Sequence, residues 1–520
     1  LSPYCYSADN PLVLVDPNGE KVYIVGDAAD NMLQHREASY NNYGKMTQMR
    51  VFNNSEIAYT DLQYDQYGNV NQILYPQNVN GDRLSFTYEY DLILNTYPIR
   101  ITDFWNNSMN TDYDFRLGLP TKVQDPSGNF VQYTYYEDGK LNTVTAPNEI
   151  NNGAPYTIKC DYWTNYQSSL SNNTGLWAQT LHYDPLNDGN EFETVTISDG
   201  LGRAIQVKKK STIYGVDSII VSGKIIFDAF GRKITEYQPE TEAYSGTINH
   251  TYSNLSWQNP TTYSYDIMDR PKQQNNPDGT NIIYSYNFGQ DNFGKTCFKT
   301  KITDPNGNIT EQYKDARNLQ TTVVAPMNTI TKFIYTPLGQ IKTSIDPEGN
   351  ATHYNYDMLG RLREREHPDA GITRYQYDLA GNILQKISEN SNIEYIYEDG
   401  RLKHIHYPGN EEMDVYYEYG AAGSGNQSGR LIKQQDASGV QTFWYGNMGE
   451  LIGNIHTYVV PGGEPYTFEM RWNYDSWNRL INIQYPDGEL VSYRYDNGGK
   501  LISMNGEKLG QQYYYIKEII

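Results

Sequence analysis

Apolar and polar positions along this chain alternate in short bursts rather than at helical spacing. The clearest bursts end in Tyr-x-Tyr, which puts two rings on one face of a strand because side chains alternate across it. Such pairs recur at Tyr88/Tyr90, Tyr133/Tyr135, Tyr263/Tyr265, Tyr284/Tyr286, Tyr354/Tyr356, Tyr375/Tyr377, Tyr395/Tyr397, Tyr417/Tyr419 and Tyr493/Tyr495. A turn of the form Asp-x-x-Gly follows, in which Asp accepts local backbone N–H groups and Gly tolerates positive φ. A second strand then opens with Arg-Leu, Asn-Ile or Lys-Leu. It ends in a second turn such as Asp346-Pro347-Glu348-Gly349 or Pro486-Asp487-Gly488, where Pro presets the first corner and Gly the last.

The unit has a fixed step. Tyr335 to Tyr356, Tyr356 to Tyr377, Tyr265 to Tyr286 and Tyr474 to Tyr495 are each 21 residues apart, and Tyr377 to Tyr397 is 20. A constant period outranks local secondary-structure readings. One period is one hairpin, which is marginal alone in water, so the hairpins must stack edge to edge. The expected fold is all-β with nearly no helix. The positions that carry the repeat are Tyr265, Asp266, Tyr356, Asp357, Gly360, Arg361, Tyr377, Asp378, Gly381, Tyr397, Gly400, Arg401, Tyr474, Asp475, Arg479, Tyr495 and Asp496.

This pattern resembles the YD-repeat, or RHS-repeat, family, which includes bacterial toxin-complex C components and the shell of animal teneurins. Regular units run over residues 261–520 and degenerate ones, with inserted loops, over 61–260. Departures occur at Glu398, at Met268-Asp269-Arg270 and at Asn478. The resemblance implies a strip of hairpins spiralling into a large hollow shell. Residues 1–20 are similar to the end of an RHS-associated core, through Tyr4-Cys5-Tyr6, Asn10-Pro11 and Asp16-Pro17-Asn18-Gly19. In that family the core follows the repeats and sits beside a self-cleavage point, so Asp16 is the one residue carried over as a candidate for that reaction. Here the motif precedes the repeats. Separately traced pieces, two tandem shells, or a simple Asp-Pro-x-Gly turn each account for that order. Residues 21–60 read as a connector, with a strand at Val22–Val25 and a short helix over Asp30–Tyr40. The end of the chain at a bare strand suggests a piece of something larger, truncated at its C-terminus.

Composition sharpens the picture. Tyr numbers 50 against 14 Phe and 7 Trp, so the packing residue is a ring with a polar tip. A net charge of −21 argues against nucleic acid or an anionic membrane as partner, and no stretch is apolar enough to span a bilayer. Lys208-Lys209-Lys210 reads as a solvated strand or turn. Cys5, Cys160 and Cys297 are too few and too scattered for a disulfide framework. Residues 420–429 read as a flexible loop on the rim of the repeats.

Candidate chemistry is sparse. His404-x-His406 puts two imidazoles on one strand face and, with His367, has the residue types of a metal site; the expectation is surface histidines and no metal. Glu364 with Glu366, and Glu411 with Glu412, fit solvated faces better than a paired-carboxylate cleft. No cofactor is expected, and no enzyme activity beyond self-cleavage. The resemblance implies a wall segment of a secreted or cell-surface bacterial protein. Its partners would be an encapsulated C-terminal effector and the remaining shell and secretion segments. The alternative is a teneurin-like adhesion or glycan-binding module.

Overall fold

The computed structural model describes residues 12–15, 21–25, 32–163, 176–185, 191–460 and 462–517. The described chain is almost entirely antiparallel strand. Its one α-helix is Pro147–Asn152, and short 3-10 turns lie at Pro326–Asn328, Glu411–Met413 and Gly425–Gln427. Two units are distinguished. The first comprises 1–107, 282–418 and 434–437, the second 108–281, 419–433 and 438–520.

The first unit holds the most regular repeats. Thr329–Tyr335 pairs with Ile341–Ile345, which pairs with Ala351–Tyr356, and so on through Leu362–His367, Gly371–Tyr377, Ile383–Ile387, Asn392–Glu398, Arg401–His406 and Val415–Tyr419. A second ribbon in this unit runs from Lys21–Val25 to Pro98–Asp103. Met32–Tyr40, expected as a helix, is a strand paired on both sides. Its mixed spacing suited either element, and the two flanking strands decide the matter by satisfying its backbone.

The second unit carries the aliphatic core. Val195, Ile197, Ile219, Val221 and Ile248 are buried together under Trp177, Ile205, Tyr244, Leu255 and Trp257. By contrast, the buried hydrophobic residues described over 261–517 are Cys297, Tyr313 and Val491. The regular ribbon is therefore one sheet thick. Lys208 and Lys210, read as solvated, alternate inward and are 1% and 8% exposed, while Lys209 points out. Lys208 faces Glu242 at 3.5 Å, and Lys210 lies 4.6 Å over the Tyr244 ring. The 420–429 stretch, read as a flexible loop, is closed at its base by backbone hydrogen bonds. Gly420 and Gly429 close on Arg430 and Gly420 carbonyls, and a Cβ at Gly420 would overlap the Gln427 carbonyl.

The turns explain the drift in the motif. The last corner of Asp-x-x-Gly sits at positive φ, as in Gly360 at 84°. Where Gly is missing, Asp269 at 62° and Asn478 at 58° hold the same corner, and these are the side chains that enter the left-handed region at least cost. At Glu398–Arg401 both central residues, Asp399 and Gly400, have positive φ (49° and 69°) and Glu398 pairs directly with Arg401. That is a two-residue hairpin loop, one residue tighter than the turn at Asp357–Arg361; the 20-residue step itself ends at Tyr397, before this loop, and contains the second turn Ser388–Ser391. Replacing Asn478 with Gly is expected to change stability by a few tenths of a kcal/mol, whereas Asn478→Val should cost about 1–2 kcal/mol, read from denaturant unfolding midpoints.

Candidate functional site

Most turns of the regular repeats are closed by an aspartate, though Thr336 takes its place after Tyr335 and Gly446 after Tyr445. In the turn from Asp357, the Asp357 N–H donates to the Arg361 carbonyl and the Gly360 N–H donates to the Asp357 carbonyl. The carboxylate Oδ1 accepts the N–H groups of Leu359 and Arg361, and Oδ2 accepts Arg361 Nε at 2.7 Å. Asp266 and Asp475 repeat this with Arg270 and Arg479, and Asp378 does so with the Asn382 amide. Directly after the turn the ladder slips by one residue: Asn355 faces Glu364, but Tyr356 faces Leu362. This is a bulge, which disrupts the ladder locally.

The tyrosine before the aspartate reaches that irregular point of the preceding repeat. Tyr377 donates its phenol O–H to the Leu362 carbonyl, Tyr356 to Ile341, Tyr335 to Gln320 and Tyr495 to Leu480, all at 2.8–2.9 Å and all 15 residues back. Where insertions lengthen the chain the separation grows but the partner keeps its place. Tyr64 bonds Met46, Tyr90 bonds Val70 and Tyr265 bonds Lys233, each the first residue of its strand. The arginine of one turn stacks on the tyrosine of the next: Arg361 lies 4.7 Å over Tyr377, Arg479 4.9 Å over Tyr495, and Arg232 5.0 Å over Tyr265. Arg361 also donates to the Asp378 carbonyl. Tyrosine, aspartate and arginine thus form a buckle between successive hairpins.

Some turns do a second job. In the first unit, Asp378 Oδ2 accepts the Val79 N–H at 3.2 Å, Asn80 donates to the Tyr397 carbonyl at 2.7 Å, and Gly400 packs against Leu84. Trp105 donates to the Asp399 carbonyl, and Arg401 covers its ring at 4.1 Å. In the second unit, Trp477 packs on His182 and Phe192 (4.1 and 4.5 Å between centroids), and Arg479 reaches Asp184 at 3.1 Å. Asp496 accepts from Ser211 Oγ and the Thr212 N–H. Tyr474 closes the bulge opposite Leu480, and Gly381 holds its corner at φ 100°. The period gives no hint of these lateral contacts. Trp105 and Trp477 do offer a signal, since each places a large ring at the middle of a turn that would otherwise be solvated.

The remaining candidates separate. Asp16 lies outside the described residues. Glu364 is neutralised by Arg374 at 2.7 Å, and Glu411 accepts the Gly409 N–H. Cys160 and Cys297 are buried free thiols, and burial raises the pKa of both. His367 does not join the other histidines, because its Nδ1 accepts the N–H groups of Asp369 and Ala370. Asp414 takes its place: Oδ2 lies 2.8 Å from His404 Nε2 and 2.9 Å from His406 Nδ1. Burial pushes the Asp414 carboxyl up, but the Tyr407 N–H and both imidazoles outweigh it and hold the pKa well below the usual range.

A family model described as RHS Repeat matches residues 474–507. A curated relative, the probable deoxyribonuclease RhsA of Dickeya dadantii (strain 3937), is 31% identical over 90 residues, which is 17% of this chain and 6% of that protein. Solved structures share the fold over nearly the whole length. The crystal structure of TcdB2-TccC3 matches 94% of this chain with a TM-score of 0.77 at 16% identity, and the Tc holotoxin pore of Photorhabdus luminescens matches 97% with a TM-score of 0.77 at 15% identity. The chain spans about a third of those solved chains, 31% and 33% respectively.

Two outcomes follow from the buckle. Tyr377→Phe keeps the ring and deletes the bond to Leu362, at a cost of about 0.5–1.5 kcal/mol, which hydrogen exchange should show as faster opening of strands 362–367 and 371–377. The Arg270 guanidinium holds Asp266 below its ordinary pKa of 3.8, the Arg203 guanidinium does so for Asp199, and the Asn308 and Asn350 amides do so for Asp304 and Asp346. A lowered folded-state pKa gives stability that is complete above the unfolded value and is lost as pH falls through the folded one. The contribution of these turns to stability should therefore be flat above pH ~5 and decline below pH ~4. Asp266→Asn should be less stable than the parent at pH 7 yet lose less on acidification, measured by urea unfolding across that range.

Proposed function

We propose that this RHS-repeat chain is a length of wall from a hollow shell that encloses a C-terminal effector polypeptide and delivers it from a secreted bacterial toxin. The observation that carries the reading is the ribbon itself. It is one sheet thick, almost without an aliphatic core over 261–517, and fastened repeat to repeat by buckles along its turn edge. A single layer held at its edges suits an enclosure, because among the described residues each long sheet leaves only its two end strands paired on one side, so few edges remain to recruit other chains. The match to toxin-complex chains over 94–97% of the sequence supports the same reading. A further solved structure that the chain resembles is TcdB2-TccC3 without its hypervariable C-terminal region, and a variable end on a constant wall is what exchangeable cargo would require. The wall itself would be non-enzymatic, with carboxylates engaged in turns rather than converged in a cleft.

The test is electron microscopy of the protein produced from its full-length gene, with proteolysis of the segment beyond the repeats. A hollow particle is expected, in which that segment resists protease until the shell is opened. A solid particle, or a segment cut as fast as when free, overturns the proposal.

A further inference from the structure

We infer that His404, His406 and Asp414 form a binding site for a divalent transition-metal ion of the zinc type. The two histidines are two apart on the strand Arg401–His406 and so share a face. Asp414 ends the 3-10 turn Glu411–Met413 and leads into Val415–Tyr419, the paired strand, in which Tyr416 faces His404. One donor atom from each residue lies within 4.8 Å of the others. The distances from Asp414 Oδ2 to the two ring nitrogens, 2.8 and 2.9 Å, need to open slightly, while the two nitrogens, within 4.8 Å of each other, close toward the same separation. Ligands about 2.0–2.1 Å from a tetrahedral zinc stand roughly 3.3 Å from one another.

The surroundings are built to hold these donors. The Tyr407 N–H donates to Asp414 Oδ1 at 2.8 Å, fixing the carboxylate. The Tyr416 ring stacks on His404 at 4.1 Å and 12°. Such outer contacts orient ligands and raise affinity. Asp414 is 7% exposed while His404 and His406 are 17% and 26% exposed, so the set is partly buried with one open side for a fourth, exchangeable ligand such as water. Imidazole favours zinc, copper or nickel over calcium and magnesium, which take all-oxygen sites.

The local chain architecture points the same way. Other second turns of the regular repeats close in a few residues, as at Pro368–Gly371 and Pro486–Gly488. Here the turn is enlarged by Asn410–Asp414, and the enlargement brings a carboxylate between two imidazoles. A bound ion would staple the enlarged turn to the strand it leaves.

The test is titration of the chelator-treated 520-residue chain with Zn²⁺ by calorimetry, and with Co²⁺ by visible absorption. One saturable site is expected, with a Co²⁺ spectrum of nitrogen and oxygen ligands in low coordination number. His404→Gln/His406→Gln should weaken binding by more than the ~10–100-fold that loss of an outer contact costs. Asp414→Asn, which keeps the hydrogen bond from Tyr407, should also weaken it, and His367→Ala should bind as the parent does. Circular dichroism of each variant separates lost ligands from lost fold. Absence of a saturable site in the folded parent, or equal affinity in a folded His404→Gln/His406→Gln chain, overturns the inference and leaves a hydrogen-bonded pin.

Discussion

The bond from a tyrosine phenol to a backbone carbonyl of the preceding hairpin is the constraint on which the regular part of this molecule depends. The bulge beside the aspartate turn that follows a tyrosine, as at Tyr356 and Tyr377, breaks the ladder at a predictable place, and the phenol of the next repeat bonds to the carbonyl there. Phenylalanine could fill the same space but not make that bond. This is the physical reason why the ring at Tyr335, Tyr356, Tyr377 and Tyr495 is tyrosine rather than phenylalanine. The arginine that clamps one turn's aspartate then stacks on the same tyrosine, so three motif residues act together at one joint.

A single sheet layer has no opposite layer to bury its faces against, and the joints replace that missing burial. Each phenol bond is worth about 1 kcal/mol net, and a ring that buries 150–250 Å² adds a few kcal/mol at about 25 cal/mol/Å². Neither term holds a lone hairpin together. Repeated along a ribbon, they make stability a sum over neighbours, so the ribbon tolerates irregular units. The region around Val195 and Ile219 shows the other solution, a conventional aliphatic cluster, in the stretch where the tyrosine period fades.

What could be read from the chain beforehand was the part written in local chemistry. Alternating tyrosines, the aspartate turn and the glycine corner each satisfy rules that act within a few residues, and all were legible. Met32–Tyr40 was not, since a short mixed segment takes its conformation from the strands beside it. Nor were the buried lysines, because a run of three looks solvated until strand alternation turns two of them inward. The docking of Asp378 on Val79, about 300 residues away, leaves no periodic trace at all. Likewise His404 and His406 were visible as a pair, but their third partner comes from a turn enlargement rather than from the next repeat.

The aspartate turn also shows why the motif can drift without the structure failing. A carboxylate has two oxygens, and Oδ1 is spent on the turn's own N–H groups in every case described above. Oδ2 is free to vary. With arginine four residues on, as at Asp357 and Asp266, it binds within the turn, and the Arg361 guanidinium goes on to the next tyrosine. With Lys500 in that place, Asp496 gives Oδ2 to Ser211 and Thr212 of a neighbouring ribbon. Asp378, with Asn382, does both. The residue after the glycine corner therefore sets what the second carboxylate oxygen binds, while Arg479, which clamps Asp475 and also reaches Asp184, shows that an arginine turn can serve both ribbons. Variation there carries structural information that a consensus would discard as noise.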